Sequence, residues 1–235
     1  MMRISRRTLL VAGAATFGGV LEAYTRRAAE SGVDAGVQLY MARALLARDF
    51  EGGLAAIAGT GVKEVEFAGL HGRTAEDVRR ILDRVGLRAV GAHCVRADMS
   101  DDDLRRAIDE CRTIGARYVI AAAPLLRELK LPITSREQVT AALRAITIED
   151  VRYSAAQFNR FAATIKAAGL EFGYHSHGFE FQKYGTTTGF DEMLRLLDPA
   201  TSTIELDLGN LVAAGADPAH YLRTYPGRFR LAHVK

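Results

Sequence analysis

The segment 170–181, with the sequence LEFGYHSHGFEF, carries the residues of this chain that are best suited to chemistry. Its apolar and aromatic start predicts a strand, and because strand side chains alternate between two faces, His175 and His177 should point the same way. Gly178 lets the chain turn as the strand ends, and Glu180 lies just beyond it. Two imidazoles and a carboxylate at one strand end suit a divalent-metal site or an acid/base site, whereas the alternative is a histidine pair hydrogen-bonded into a core.

Composition and charge narrow the class of protein. The chain has 235 residues, of which 49% are hydrophobic and 25% charged, which is ordinary for a globular protein. The net charge of +3 comes from the arginine-rich first 31 residues, and the remaining chain carries equal numbers of basic and acidic residues. That balance argues against a nucleic-acid groove with many phosphate contacts. Two cysteines, Cys94 and Cys111, do not make a disulfide framework, and we interpret them as buried small hydrophobic residues.

The first 32 residues predict an export signal. Basic residues precede an apolar run at 9–21, which is shorter than a typical membrane span and has the length of the apolar part of a signal peptide. The sequence SRRTLL at 5–10 resembles the twin-arginine export signal and so predicts an exported, periplasmic protein. The alternatives are an uncleaved anchor or a chance basic N-terminus, and a leader that does not function would leave the protein cytoplasmic. We therefore assign 1–32 to a leader, exclude it from the fold, and expect one domain over 35–235.

After the leader the chain repeats one pattern of a short apolar strand, a polar loop, an amphipathic helix, a glycine and the next strand. A glycine precedes four of the predicted strands, at Gly61, Gly86, Gly115 and Gly169. A glycine readily adopts the left-handed conformation that ends a helix, so each of these positions indicates where a helix ends and the next strand begins. The seven predicted strands are 37–40, 64–68, 89–93, 118–122, 171–175, 203–206 and 230–234. Strands that alternate with helices predict a parallel sheet with right-handed crossovers.

Polar residues at the strand ends decide between an open doubly wound sheet and a closed TIM-type (β/α)8 barrel. Those at or near the carboxyl ends of different strands are Glu66, His93, His175, His177, Asp207 and His233. A barrel surrounds one mouth with residues from many strand ends, whereas an open sheet gathers its site at one switch point. Because no glycine-rich phosphate fingerprint follows the first strand, we favour the barrel. The sequence stops at Lys235 before an eighth strand–helix unit, so we expect a barrel truncated after the seventh strand.

Several segments taken together resemble the sugar phosphate isomerase/epimerase family, which has a xylose isomerase-like TIM barrel. The likeness covers about residues 35 to 235 and rests on the segments GVQLY, VEFAGLHGRTAEDVRRILDRVGL, GYHSHGFEF, TIELDLGN and AGADPAHYLRTYPGRFRLAHVK. It implies a divalent-metal enzyme that acts on a sugar, an inosose-type polyol or a keto-sugar.

The resemblance implies three metal ligands in this chain. Glu180 matches the family's glutamate after the fifth strand, Asp207 the aspartate that ends the sixth, and His233 the histidine of the seventh. The family's fourth ligand is a glutamate on an eighth strand, which this sequence does not reach. Ser176 and Gly178 stand where the family commonly has Asn and Asp, and this departure bears on sugar specificity more than on metal binding.

The resemblance also implies which residues meet the substrate. The expected substrate contacts are Glu66, His93, His175, His177 and Lys235, and the expected catalytic residues are Glu180, His177 and His93. Two alternatives stay open here, namely that Glu66 pairs with Arg73 and that Lys235 is simply solvated. Glu205 lies on the same strand face as Asp207, where it is either a partner of the ligands or a member of a salt bridge.

Two carboxylates and one imidazole suit one divalent cation such as Mn²⁺, Mg²⁺, Co²⁺ or Zn²⁺. Such a cation polarises a carbonyl, so a carboxylate can remove the neighbouring proton and an enediolate forms. The predicted function is therefore a metal-dependent sugar isomerase or epimerase with a small sugar as its partner and a homo-oligomer as a possible assembly. The alternatives are a keto-sugar or inosose-type dehydratase on the same site, a non-catalytic exported sugar-binding module, and a DNA-repair nuclease of similar fold, against which the neutral domain counts.

Overall fold

Eight parallel strands close into a barrel in the computed structural model, which describes residues 8–11, 30, 34–96, 99–127 and 135–234. The order around the barrel is β1, β10, β9, β6, β5, β4, β3 and β2. Their bounds are β1 Thr8–Val11, β2 Asp34–Gln38, β3 Glu64–Phe67, β4 Arg88–Val95, β5 Tyr118–Ala121, β6 Glu171–His175, β9 Ser202–Asp207 and β10 Phe229–Val234. A separate antiparallel pair joins β7 (Lys183–Tyr184) to β8 (Thr187–Thr188).

Helices follow the strands and pack against them, as in a strand–helix repeat. Their bounds are α1 Arg43–Arg48, α2 Phe50–Gly59, α3 Ala75–Val85, α4 Asp101–Ile114, α5 Arg136–Arg144, α6 Ile148–Ala167, α7 Gly189–Leu196, α8 Leu208–Ala213 and α9 Pro218–Thr224. Short 3-10 turns lie at Leu39–Ala42 and Phe179–Phe181. Within the described ranges, none of these helices combines the length and the hydropathy needed to cross a bilayer.

The seven strands predicted from the sequence are all present, and they form the predicted TIM-type arrangement. The largest difference is in the first of them, which ends at Gln38 instead of continuing to Tyr40. The side-chain oxygen of Gln38 accepts a hydrogen bond from the backbone N–H of Tyr40 at 3.0 Å, and this bond starts the 3-10 turn. A side chain that captures a nearby backbone donor in this way competes with strand pairing.

The eighth place in the barrel is filled by β1, which comes from the segment that the sequence assigns to the leader. Thr8 pairs with Leu231 of β10 and with Asp34 of β2, and the register continues through Val11. An unpaired sheet edge exposes a row of N–H and C=O groups, and β1 satisfies both edges of the seven-stranded sheet. Four residues excluded from the fold thus belong to the sheet. Apart from Glu30, the rest of the predicted leader lies outside the described residues, as does Lys235, so the leader stays a prediction.

Below the mouth, the interior of the barrel is apolar. Ile120 points at two glycines on the neighbouring strands: a Cβ added to Gly91 or Gly173 would stand 2.8 Å or 3.2 Å from its side chain. Ile120 belongs to a small buried cluster that also contains Val90, Tyr118 and Leu231. Two residues beyond Gly91, Gly173 and Leu231 along their strands come His93, His175 and His233, which therefore share the same strand faces. The strand period thus places three histidines directly above an apolar floor.

Candidate active site

Six ionisable side chains from five strands meet inside the mouth of the barrel. They are Glu66 on β3, His93 on β4, His175 on β6, Glu205 and Asp207 on β9, and His233 on β10. All are buried except His93, whose side chain is 10% exposed. Parallel strands end at one rim of a barrel, so residues far apart in sequence meet there. Five of these residues belong to the six that the sequence places at one rim, and Glu205 joins them here.

Glu205 is the centre of this group. One of its carboxylate oxygens accepts hydrogen bonds from His93 Nε2 at 3.0 Å and from His175 Nδ1 at 2.9 Å. Its other oxygen lies 3.5 Å from His233 Nε2. Burial would raise the pKa of Glu205, but the charge of His233 and the hydrogen bonds from His175 and His93 prevail and hold it well below the usual value. Of the two roles left open for Glu205, partner of the site residues is the one that these contacts support.

Glu66 is a second buried carboxylate of the mouth and pairs with histidines. It lies 2.7 Å from His93 Nε2 and accepts a hydrogen bond from His233 Nε2 at 3.2 Å. Arg73, the alternative partner, lies instead over the ring of Phe50. Burial and the neighbouring carboxylate of Glu205 raise the pKa of Glu66.

The histidines of the mouth differ in protonation although burial opposes a positive charge on each of them. For His93 the carboxylates of Glu66 and Glu205 outweigh burial and raise the pKa to about 10. For His175 burial outweighs the hydrogen bond to Glu205 and lowers the pKa to about 4. A neutral His175 that donates from Nδ1 to Glu205 keeps a lone pair on Nε2, which is the arrangement that carboxylates impose on metal-binding histidines.

The donor set of the mouth fits a divalent cation. Ligand atoms of His93, His175, Glu205 and His233 all lie within 4.8 Å of one another. Ligands that each stand about 2.0–2.2 Å from one ion lie at most roughly 4.3 Å apart, so small side-chain movements would complete the site. In addition, Glu66 Oε2 and Glu205 Oε1 are buried without a hydrogen-bond partner among the described residues. Buried carboxylate oxygens in that state are costly unless a cation or a hydrogen bond compensates them.

The predicted ligands Asp207 and His233 lie together. Glu180 is outside the compact group, by which we mean His93, His175, Glu205 and His233. Asp207 Oδ2 is 3.7 Å from His233 Nδ1 and 3.7 Å from His175 Nε2. Glu180 accepts a 2.6 Å hydrogen bond from the Tyr174 hydroxyl and two bonds of 3.0 Å from the backbone N–H of His177. Burial, reinforced by the charge of Asp207, raises the pKa of Glu180 to about 7. The ligand roles of Glu180, Asp207 and His233 stay predictions.

A cavity of about 760 Å³ opens above the group and is large enough for a small sugar. His93, His175, His177 and His233 all line it, so four predicted site residues share one space. His177 stacks on Phe179, with ring centroids 5.2 Å apart. The sequence analysis does not predict the lining residues Gln38, Tyr40 and Asn210, and it interprets Cys94 and Cys111, which also line the cavity, only as buried hydrophobic residues. Strand and helix periodicity marks these residues as ordinary packing positions, so no signal in the sequence identifies them.

Comparisons with known proteins agree with the barrel. No family model matches the chain. A stretch of 68 residues is 35% identical to an inosose dehydratase of Bacillus anthracis (strain CDC 684 / NRRL 3495), and this match covers 28% of the chain and only 22% of that enzyme. A sugar phosphate isomerase/epimerase structure from Parabacteroides distasonis ATCC 8503 superposes with a TM-score of 0.68 at 21% identity, covering 85% of this chain and 77% of that one.

A second solved structure, the IOLI protein with a bound zinc atom, has a TM-score of 0.53 and 13% identity, and covers 78% of this chain and 66% of that one. At these identities the likeness concerns the fold. The chain has the xylose isomerase-like TIM barrel that its sequence resembles, with neighbours among the sugar phosphate isomerases/epimerases.

Proposed function

We propose that this protein is a divalent-metal-dependent enzyme that isomerises or epimerises a sugar or keto-sugar. The observation that carries the proposal is the group of four ligand atoms, from His93, His175, Glu205 and His233, beside a cavity of about 760 Å³. The zinc named for the IOLI protein and the activity named for the Parabacteroides protein support it. The cation is one of Mn²⁺, Mg²⁺, Co²⁺ and Zn²⁺, and a mixed imidazole and carboxylate set suits each of these in some degree.

Two ligand sets share His233, and we propose the compact one. The set implied by the resemblance adds Glu180 and Asp207, whereas the compact set adds two histidines and Glu205. The compact set is favoured because its four atoms lie within 4.8 Å of one another, so small side-chain movements would let them surround one ion. Asp207 stands at its edge, within 3.7 Å of two imidazole nitrogens, and would join it by a small rotation.

The cation would polarise a substrate carbonyl and make the neighbouring C–H more acidic. Glu180 is the proposed proton carrier for that C–H. Its carboxylate is buried, is oriented by Tyr174 and by the backbone of His177, and has a pKa raised to about 7, so it can both accept and return a proton near neutral pH. His177 and His93 line the cavity and would orient substrate hydroxyl groups. Return of the proton by Glu180 to the neighbouring carbon isomerises, whereas epimerisation needs a second acid, such as water, to protonate the opposite face while Glu180 keeps the proton it removed.

A dehydratase is the second candidate, because a relative that matches a 68-residue segment of this chain is an inosose dehydratase. Isomerisation, epimerisation and dehydration share one enediolate intermediate and differ in the fate of that intermediate. Loss of a β-hydroxyl group in place of reprotonation would give the dehydrated product. The same mouth residues serve both candidates.

Deuterium exchange tests both candidates in one experiment. The protein, supplied with Mn²⁺ or Zn²⁺ in D₂O, is incubated with a panel of keto-sugars and inososes, and the C–H beside the carbonyl is followed by proton NMR. Exchange with a new stereoisomer indicates an epimerase, exchange with a carbonyl moved to the neighbouring carbon indicates an isomerase, and exchange with new ultraviolet absorbance indicates a dehydratase. Sugar binding without exchange would contradict the enzyme and indicate a non-catalytic binding module.

Export by the twin-arginine route stays a prediction, as does assembly into a homo-oligomer. Replacing Arg6 and Arg7 by lysine removes the paired arginines of SRRTLL and keeps the charge. We expect the variant to remain in the cytoplasm while the unchanged chain reaches the periplasm, which cell fractionation measures. Equal amounts in the periplasm for both chains would contradict the signal.

A further inference from the structure

The side wall of the cavity contains a pair of cysteines that the proposed reaction does not use. Cys94 lies on β4 and Cys111 on α4, and both are free thiols. Their sulfur atoms are 3.7 Å apart, which is direct contact. Both residues line the cavity, so the pair is part of the wall of the proposed site. The sequence predicts only two buried apolar side chains here, and Cys94 is only partly buried.

An irregularity in β4 turns the side chain of Cys94 towards Cys111. The pairing of β4 with β5 shifts register between His93 and Val95, so one extra residue is accommodated at Cys94. In a regular strand His93 and Cys94 would point to opposite faces, but a bulge of this kind changes the direction of its side chains. As a result both His93 and Cys94 border the same cavity.

Cys111 is held in place by a well-defined helix. Helix α4 begins at a capping box, in which the Ser100 hydroxyl accepts a bond from the Asp103 backbone N–H and the Asp103 carboxylate accepts one from the Ser100 N–H at 2.9 Å. It ends at Gly115, which has the left-handed φ of 82°. Cys111 is 1% exposed and borders the cavity.

We propose that Cys94 and Cys111 are an oxidative modification site that closes reversibly to a disulfide, with a low-molecular-weight disulfide as the oxidant. A disulfide has a sulfur–sulfur distance of about 2.05 Å, so the two sulfur atoms must approach by less than about 2 Å. Rotation of the two side chains, together with a small shift of β4 towards α4, would supply a movement of that size. The partly buried Cys94 gives the oxidant access.

The exchange takes place in two balanced steps. The thiolate of Cys94 attacks one sulfur of the oxidant, and this forms a mixed disulfide and releases one small thiol. The thiolate of Cys111 then attacks Cys94 Sγ, which forms the internal disulfide and releases the second small thiol. Two protons and two electrons pass from the cysteine pair to the oxidant. Cys94 reacts first because Cys111 is almost fully buried.

The cross-link would act on the mouth through His93, the residue next to Cys94. His93 lies within hydrogen-bonding distance of both Glu66 and Glu205, so a pull on β4 towards α4 would displace a member of the compact group. This consequence rests on the proposed function, but the disulfide itself does not.

Titration with oxidised and reduced glutathione, followed by thiol counting and mass spectrometry of the whole chain, tests the proposal. We expect both thiols of the unchanged chain to disappear together, with a mass lower by two hydrogens and full recovery in excess reduced glutathione. Cys111→Ser should keep one glutathione on Cys94, because no second thiol displaces it. Cys94→Ser should leave Cys111 unmodified in the folded protein.

Two results would overturn the proposal. One is that the unchanged chain keeps both thiols, or gains a stable glutathione, across the whole titration. The other is that Cys111→Ser, shown by circular dichroism to be folded, takes up no glutathione. Each of these results can occur whether or not the protein binds a cation or turns over a sugar, so failure of the disulfide is distinct from failure of the proposed function.

Discussion

Carboxylates in the mouth of the barrel and carboxylates on its outside have different partners. Outside, Glu192 lies between Arg152 and Arg195, with bonds of 2.9 Å to each. In the mouth, Glu205 has the same number of close partners, but they are the imidazoles of His93 and His175. The pKa of both glutamates is held below the ordinary value, to about 2 for Glu192 and well below it for Glu205.

The two sets of partners differ in whether they can release a proton. An arginine keeps its proton at all ordinary pH values, so the Glu192 group is a fixed ion pair. A histidine can release its proton and offer a lone pair, so the group around Glu205 can exchange protons for a divalent cation. The exposure of the partners sharpens the contrast, because Arg152 and Arg195 reach solvent whereas His93 and His175 are almost enclosed, and an enclosed charge without full compensation is expensive. The outer group therefore stabilises the fold, and the inner group is suited to binding.

Replacing Glu205 by Gln should have the largest effect. The change removes the charge and the oxygen shared by His93 and His175, so we expect cation affinity to fall about 100-fold or more. Isothermal titration with Zn²⁺ or Mn²⁺ measures it, with circular dichroism to confirm folding. Glu192→Gln is the matched control, because it removes a carboxylate with two partners and should leave the affinity unchanged. Equal affinity for Glu205→Gln and the unchanged chain would remove the contrast between the two regions.

Replacing Glu180 by Gln should separate proton transfer from cation binding. Because Glu180 is the proposed proton carrier, we expect the deuterium-exchange rate to fall by about 10²–10⁴-fold while the metal content stays the same. Exchange by NMR and metal content by atomic absorption measure the two effects. Loss of the metal from the folded variant would contradict the compact set and favour the ligand role that the resemblance implies for Glu180.

Supplying the cation should stabilise the protein through the inner group alone. A cation at about 100 times its dissociation constant adds roughly 2.7 kcal/mol to the free energy of unfolding, because it binds the folded state. Urea unfolding with and without chelator measures the difference, which Glu205→Gln should lose and Glu192→Gln should keep. An unfolding curve that does not respond to the chelator would contradict the binding role of the mouth.

The smallest expected effect is the loss of stability at acid pH that comes from the outer group, Glu192 with Arg152 and Arg195. The pKa of Glu192 is lowered from 4.5 to about 2 by its arginines, so its contribution to stability is complete above about pH 4.5 and disappears as the pH falls towards 2. Glu192→Gln should therefore lower the melting temperature by about 2–4 °C at pH 6, and less in high salt, because exposed arginines are screened. The difference should vanish near pH 2, and a constant difference across this range would contradict the ion-pair account.

The repeating part of the fold can be predicted from the sequence because its signals are local. Glycines after helices mark where strands begin, and the strand period of two places His93, His175 and His233 at one rim. The strand period places Glu205 on the face of Asp207, but its central position in the site depends on contact with His93, which is 112 residues away in the sequence. Local sequence patterns carry no information about contacts between residues so far apart.

Three features depend on contacts between distant segments, which the sequence alone does not show. Glu180 is drawn away from the compact group because the Tyr174 hydroxyl and the backbone of His177 bind it. Cys94 meets Cys111 because β4 shifts register there. Thr8–Val11 enters the barrel because two sheet edges are open to it, and its apolar residues suit a strand as well as a leader.

Anomalous scattering from crystals soaked with Zn²⁺ or Mn²⁺ tests the central claim, that the buried group of the mouth holds one divalent cation. We predict a single strong peak in the mouth, within bonding distance of His93, His175, Glu205 and His233. Two results would contradict the claim. One is a peak bonded to Glu180 and Asp207 instead, and the other is the absence of a peak in the mouth while ordered cations are seen elsewhere on the chain.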